Sequence, residues 1–515
     1  MIVICYDYGQ SKQNKEITMK KALLLSVVAS TMIMAGGDIE PVAAPVEVSN
    51  WEWSGTAKVY YQTMDHENYG IKGLSGNKIV GPSNDMFDRY GSAADAGLQL
   101  RVSNKDVVAG IGFGAEVSVL NTLNLVDYGV VTASMQSAGG AGDALADIAA
   151  GTTFAHAADS ALSSAWVSQA YLTYGLGNTS IKVGRQELPK SLSPFAFSEG
   201  WNVFKNTFEA ALIVNTDITD TTLVGAYVNR SNGSLSWAGS IVAITALPGF
   251  ATGTLPNYLA TGDLDNWQNV GENGTYMLTA QNKSIDGLTA TGTFYYAPSF
   301  LKHSGLSNGA DVDAMVLWGD LAYSAPDMYG LIAAAQGGII NADTDASVIH
   351  EDTTSAYGAK IGAKFGDFSA LVAYTGVVID NVHALTATNF GTGVKSPLYT
   401  QMVLNQIFID GHQGDNTTFM VKGVYKGLGG KFIAAYGMTD VAENAGSNDH
   451  DYNELDLIYA TKFNTSYGDI GFKAMWMNQD FDWGSNTPNR DDSGETGKFI
   501  PDSNNVIRLI ASYDF

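Results

Sequence analysis

The residues able to do chemistry in this sequence are few and scattered. Its seven histidines (His66, His156, His303, His350, His383, His412 and His450) form no HExxH pair and no other metal-ligand spacing. The one cysteine is Cys5, which gives no disulfide framework and no thiolate site. Neither a GxSxG elbow nor a Walker loop occurs. No catalytic residue and no resident cofactor is expected, and the chain does not read as an enzyme. Asp449, Asp451 and Asn453 have the alternate-residue oxygen spacing of a calcium loop. The glycine that an EF-hand needs at the sixth position is missing, so a loosely bound calcium ion and a plain solvated acidic loop both fit.

What remains is charge placed on alternate residues. Lys58, Arg101, Lys182, Lys360, Lys422, Lys473 and Arg508 fall on one parity of segments whose other parity is apolar. Glu116, Glu209, Glu454 and Asp456 do the same. Residues two apart share a face of a β-strand, so such segments have one wet and one apolar face. A charge costs about 2–4 kcal/mol facing lipid at the midplane, and little in a hydrated lumen. These residues are therefore candidates to line an aqueous pore.

The composition fits strands of that kind. Charged residues make up 16% of the 515, below the roughly 25% of soluble domains. Hydrophobic residues reach 45%, which excludes a disordered acidic chain. Mean hydropathy is nevertheless −0.01. A net charge of −24 excludes nucleic acid as a partner, since phosphate binding needs clustered lysine and arginine.

Met19-Lys20-Lys21, the apolar stretch 22–34 and the small residues Ala35-Gly36-Gly37 form a Sec signal-peptide pattern. Residues 19–44 read as that leader, with cleavage near 35 or 44, and residues 1–18 as an upstream mis-start. Beyond Met34 no apolar run is long enough for a spanning helix.

Residues 45–515 read as one all-β domain, a transmembrane antiparallel barrel. Alternation predicts eighteen strands: 51–62, 95–103, 107–119, 165–175, 179–187, 207–216, 221–230, 274–281, 287–297, 313–324, 328–340, 355–365, 367–378, 416–426, 430–439, 453–463, 469–478 and 505–515. A hairpin hidden in 231–273 would make twenty, so sixteen to twenty strands bracket the reading. Gaps alternate long and short. The short ones, such as Asn104–Asp106, Asp217–Asp220, Asn282–Asp286 and Gly427–Gly429, are rich in turn formers. Long connections at one end and short turns at the other are the pattern of outer-membrane barrels. The final strand alternates through Tyr513 and ends on Phe515, which looks like the recognition signal of the barrel-assembly machinery.

The connection 188–206 carries Phe195, Phe197, Trp201 and Phe204, with Pro189 and Pro194 blocking continuous pairing. Long loops with bulky apolar residues pack on something. This one is expected to fold inward as a constriction loop, presenting Lys190, Glu199, Trp201 and Lys205.

Residues 182–210, KVGRQELPKSLSPFAFSEGWNVFKNTFEA, resemble the OprD-like porins and, more closely, the major outer-membrane porins of Campylobacter and related bacteria. The resemblance is specific over these residues and at the C-terminus, and is one of pattern elsewhere. It implies an eighteen-stranded pore, an inward loop after the GRQ strand, and often a homotrimer. Passive diffusion of small polar solutes is the function it implies, in an outer membrane with lipid and lipopolysaccharide as surroundings. The rival class is an adhesin or barrel enzyme without an open channel. One departure stands out. Arg185 shares the outward parity of Ile181 and Val183, so either it lies at the extracellular rim or a bulge turns it inward. The inward lysines and arginines oppose acidic mouths such as 479–504, and the larger acidic excess predicts a weak cation preference.

Overall fold

A computed structural model describes residues 51–66, 69–72, 78–81, 85–87, 92–121, 163–200, 203–232, 267–302, 311–344, 352–380, 385–391, 395–412, 414–442, 449–482 and 503–515. The leader, Trp201 and the hairpin considered at 233–266 lie outside the described residues. No helix among those described is long and apolar enough to cross a membrane.

Eighteen long strands follow one another: β1 (Glu52–His66), β2 (Ser92–Val108), β3 (Ile111–Asn121), β4 (Ser163–Leu176), β5 (Thr179–Gln186), β6 (Phe208–Asn215), β7 (Thr221–Asn232), β8 (Thr275–Asn282), β9 (Leu288–Lys302), β10 (Asp311–Ala325), β11 (Leu331–Thr344), β12 (Asp352–Phe365), β13 (Phe368–Ile379), β14 (Asn416–Gly427), β15 (Gly430–Val441), β16 (His450–Asn464), β17 (Asp469–Asp482) and β18 (Ser503–Asp514). Each predicted strand overlaps one of them. Every strand pairs antiparallel with its sequence neighbour, and β1 pairs with both β2 and β18, so the sheet has no edge. Trp267–Asn269 adds a short piece against β7, and 69–72 pairs with 78–81 as a separate two-stranded sheet.

All eight connections at one end are tight turns of at most five residues, and all nine long connections lie at the other. Backbone conformation explains the tightness. Ala109-Gly110 and Leu428-Gly429 both place two consecutive residues at positive φ, the geometry that matches strand twist in two-residue hairpins. The first turn comes later than predicted. Asn104 accepts a hydrogen bond from the Asp106 amide at 2.9 Å, which bulges β2 without ending it, and the chain reverses at Ala109-Gly110.

Alternation sorts the side chains. Tyr357, Ile361, Phe419, Val421, Phe294 and Leu317 are exposed on the outer face, while Tyr295, Val316, Trp318 and Met420 between them are buried inside. Aromatic rings flank the outer apolar band. Phe368–Tyr425 (4.5 Å) and Phe432–Tyr459 (4.6 Å) lie toward the turns, and Tyr227–Tyr276 (5.2 Å) toward the long connections. Such rings match the interfacial belts of membrane barrels.

The terminal residue takes part in closure. Phe515 donates its amide to Gly55 O at 2.9 Å and accepts from Gly55 N at 2.8 Å. Its ring occupies the space of a missing side chain, since a Cβ on Gly55 would lie 2.3 Å from Phe515 Cζ. Gly55→Val and deletion of Phe515 should each reduce the fraction running as a compact, heat-modifiable band in gel electrophoresis. Gly292→Ala, where a Cβ meets nothing within 4 Å, should leave that fraction unchanged.

Candidate functional site

Two of the long connections turn back into the barrel. The first, 187–207, is stapled by its own backbone: Ser193 N donates to Pro189 O (3.0 Å) and Ser198 N to Leu188 O (2.9 Å). Phe195, fully buried, is its anchor. The ring meets Trp318 at 5.2 Å and Tyr295 at 6.0 Å, both on the inner face, and the Phe195 amide donates to Tyr295 Oη at 3.1 Å. Through Phe195 this loop packs on the inner face of the wall.

The second inward connection, 385–415, escaped the sequence reading. Phe390, Leu398, Tyr399, Leu404 and Phe408 give it the same bulky apolar content that marked the first loop. Phe390 joins the Phe195 cluster at 5.5 Å and Phe300 at 5.0 Å. A short helix α1 (Gln406–Ile409) presses Phe408 flat on Tyr452 of β16, with 4.0 Å between ring centroids.

The loops are bonded to each other. Phe390 N donates to Phe195 O at 2.7 Å, and Asn389 Nδ2 donates to Phe197 O at 2.8 Å. Buried Glu199 accepts from Asn389 Nδ2 (2.9 Å) and from the Lys395 amide (3.1 Å). Lys190 Nζ reaches Ser396 O at 2.9 Å, and Lys395 Nζ donates to Val403 O and Gln406 Oε1. Burial lowers the pKa of both Lys190 and Lys395 to about 8, against the opposing pull of Glu199.

Protein-family profiles give no match to the chain, and no curated protein matches it. Solved structures do. OccAB3 of Acinetobacter baumannii superposes with a TM-score of 0.60 at 12% identity, over 91% of this chain and all of that one. OpdK of Pseudomonas aeruginosa, solved with vanillate, gives 0.58 at 10% identity over 90% and 98%. OpdO of the same organism gives 0.56 at 15% identity over 91% and 98%. The chain has their barrel fold. Its eighteen closed strands and long, short, long rhythm agree with the reading taken from alternation alone.

Within this barrel the candidate residues separate into groups. Lys58, Lys182, Lys360, Lys422 and Lys473 lie on the inner face, each partly exposed. Two of them rest on rings: Lys182 Nζ is 3.8 Å from the Tyr171 centroid, and Lys360 Nζ 3.8 Å from that of Tyr399 on the second loop. Tyr399 in turn donates its hydroxyl to Asp320 on β10. Lys58 Nζ donates to Val203 O of the first loop.

Four inward candidates are not open to a lumen. Arg508 is fully buried and donates from Nε and Nη2 to Gln62 Oε1. Glu116 is buried and paired with Arg101 Nη2 at 2.5 Å, while Arg101 itself stays partly exposed. Asp456 and Glu454 are covered by the second loop, accepting the amides of Val403 (3.2 Å) and Leu404 (2.8 Å). They anchor backbone instead of facing water.

Glu209 corrects the sequence reading outright. It faces outward, because β6 turns Ala210, Leu212 and Val214 inward against Leu188, Leu192 and Phe195. Where a loop lies on the wall, the inner face must be apolar, and the usual parity reverses. Glu209 pairs with Arg185 Nε at 2.9 Å. Arg185 therefore stays outward, at the rim where its strand enters the first loop. An outward arginine costs only about 0–1 kcal/mol near the interface. Lys205 pairs with Glu187 at 2.7 Å. Among the described residues no group of three or more His, Cys, Asp or Glu is placed to hold a metal ion.

Phe195→Ala should cost about 3–5 kcal/mol, as large-to-small changes in packed cores do, and free the first loop from the wall. Limited proteolysis should then cut near residues 190–200 while the barrel band survives.

Proposed function

We propose that the chain forms a water-filled outer-membrane channel for passive diffusion of small hydrophilic solutes. The carrying observation is a closed barrel with an apolar outer face, a lysine-bearing inner face and two interlocked loops across its interior. The loops narrow the passage, and Lys182, Lys360, Lys422, Lys473, Arg101 and Lys190 line it. Long connections face the exterior and the turns face the periplasm. The Tyr513–Phe515 end serves as the signal for the assembly machinery.

The inner-face acids Glu116, Glu454 and Asp456 are already engaged by Arg101 or by loop amides, and Asp320 by the Tyr399 hydroxyl, so the narrow region presents cationic groups. In a low-dielectric constriction those outweigh charges spread over the mouths. This reverses the weak cation preference expected from composition and favours small anions. The vanillate in the OpdK structure, an aromatic carboxylate, is a solute of that class.

Planar-bilayer recording of the purified protein tests the reading. Steady single-channel conductance is expected, and its absence would assign the chain to closed barrels or adhesins. Deleting Ser191–Gly200 should raise conductance. Lys360→Glu and Lys422→Glu should each move the reversal potential toward cations. Anion preference should fall between about pH 7 and about pH 9, because Lys190 loses its proton as pH rises through about 8. A flat profile over that interval would remove Lys190 from the passage.

A further inference from the structure

The outer wall carries a cationic row where lipid headgroups lie. Arg185 on β5, Glu209 on β6 and Arg230 on β7 are direct cross-strand partners, and all three point outward. Arg185 stacks on Trp267, with 4.1 Å from its guanidinium carbon to the ring centroid. It spends Nε on Glu209 and Nη1 on Val167 O, at 2.9 Å each. Arg230 is exposed and spends Nε on Asn269 Oδ1 at 3.2 Å. Nη2 of Arg185 and both terminal nitrogens of Arg230 bond nothing else among the described residues. One carboxylate thus sits between two guanidiniums, leaving net positive charge in a chain whose total is −24.

Depth on the wall narrows the choice of ligand. Leu223 and Leu278 are exposed in the apolar band, and the Tyr227–Tyr276 pair follows toward the long connections. Arg230 lies three residues beyond Tyr227, with Asn269 opposite it on the added strand and Trp267 two residues further along, opposite Asn232. Apolar band, tyrosine, then tryptophan and arginine is the order of hydrocarbon, interface and headgroup in a bilayer. Guanidinium forks match phosphate oxygens.

An acidic row elsewhere on the same end contrasts with this arc. Asp440, Asp451 and Asp482 are cross-strand partners on β15, β16 and β17, all exposed and outward at the same end. That side repels an anionic headgroup unless a divalent cation intervenes.

We propose that the Arg185–Trp267–Arg230 arc binds a phosphate of a phosphorylated glycolipid headgroup in the surrounding leaflet, directly and without a bridging metal. The inference rests on the membrane orientation given above but not on channel activity. Native mass spectrometry of the full chain in detergent tests it, with bisphosphorylated lipid A and the same lipid dephosphorylated, both in EDTA. The wild type should retain the phosphorylated lipid about tenfold more than the dephosphorylated one, as charge-assisted bonds to phosphate predict. Arg230→Gln and Arg185→Gln/Arg230→Gln should erase that preference stepwise, with Arg230→Lys intermediate. Each variant should run as the same compact, heat-modifiable band as the wild type, which certifies folding without reference to channel activity. An undiminished preference for the phosphorylated lipid in a compact double variant, loss of wild-type retention in EDTA, or occupation of the arc by a second copy of the chain in cross-linking would each overturn the proposal.

Discussion

The constraint on which everything else depends is backbone hydrogen bonding in a medium that offers no replacement partner. In hydrocarbon each unpaired N–H or C=O costs several kcal/mol, so a sheet that spans must close on itself. Here closure is made by β18 against β1, from Thr56 opposite Asp514 to His66 opposite Asn504. Phe515 extends the seam by two further bonds to Gly55. An even strand count, the start of β1 and the end of β18 both at the turn end, and unbroken neighbour pairing all follow from that one seam.

Closure also made the fold legible in advance. A strand with lipid on one side and water on the other must alternate, and alternation is local enough to be read without knowing the partner strand. Tyr357, Ala359 and Ile361 against Gly358 and Lys360 are sufficient to orient β12. Legibility failed wherever a third environment entered. On β6 the inner face meets the first loop instead of water, and the parity of Glu209 inverted. On β16 the same kind of cover turned Glu454 and Asp456 into backbone acceptors. The shifted reversal at Ala109-Gly110 came from an Asx bond, which has no period at all.

The second inward loop shows a different kind of omission. Its signal was present, since Phe390, Leu398 and Phe408 lie in a connection too apolar to stand in water. Nothing in their spacing, however, says that they meet Phe195 and Phe300 or stack on Tyr452. Those contacts join residues almost 200 apart in sequence, as between Asn389 and Glu199. Long-range pairing of irregular segments leaves no periodic trace, so the site was far less readable than the wall that holds it.

That interlock separates two kinds of evolutionary freedom. The strands are policed by the bilayer on one side and by register on the other, and a slip of one residue would expose every charge to lipid. The two loops answer to each other, to a patch of aromatic wall and to a few polar wall residues such as Lys58, Asp320, Glu454 and Asp456. Sequence variation can therefore accumulate in a few dozen loop residues while the scaffold stands still. Barrels of one shape but barely a tenth of their residues in common, such as this chain and OpdK, are the expected outcome of such a division.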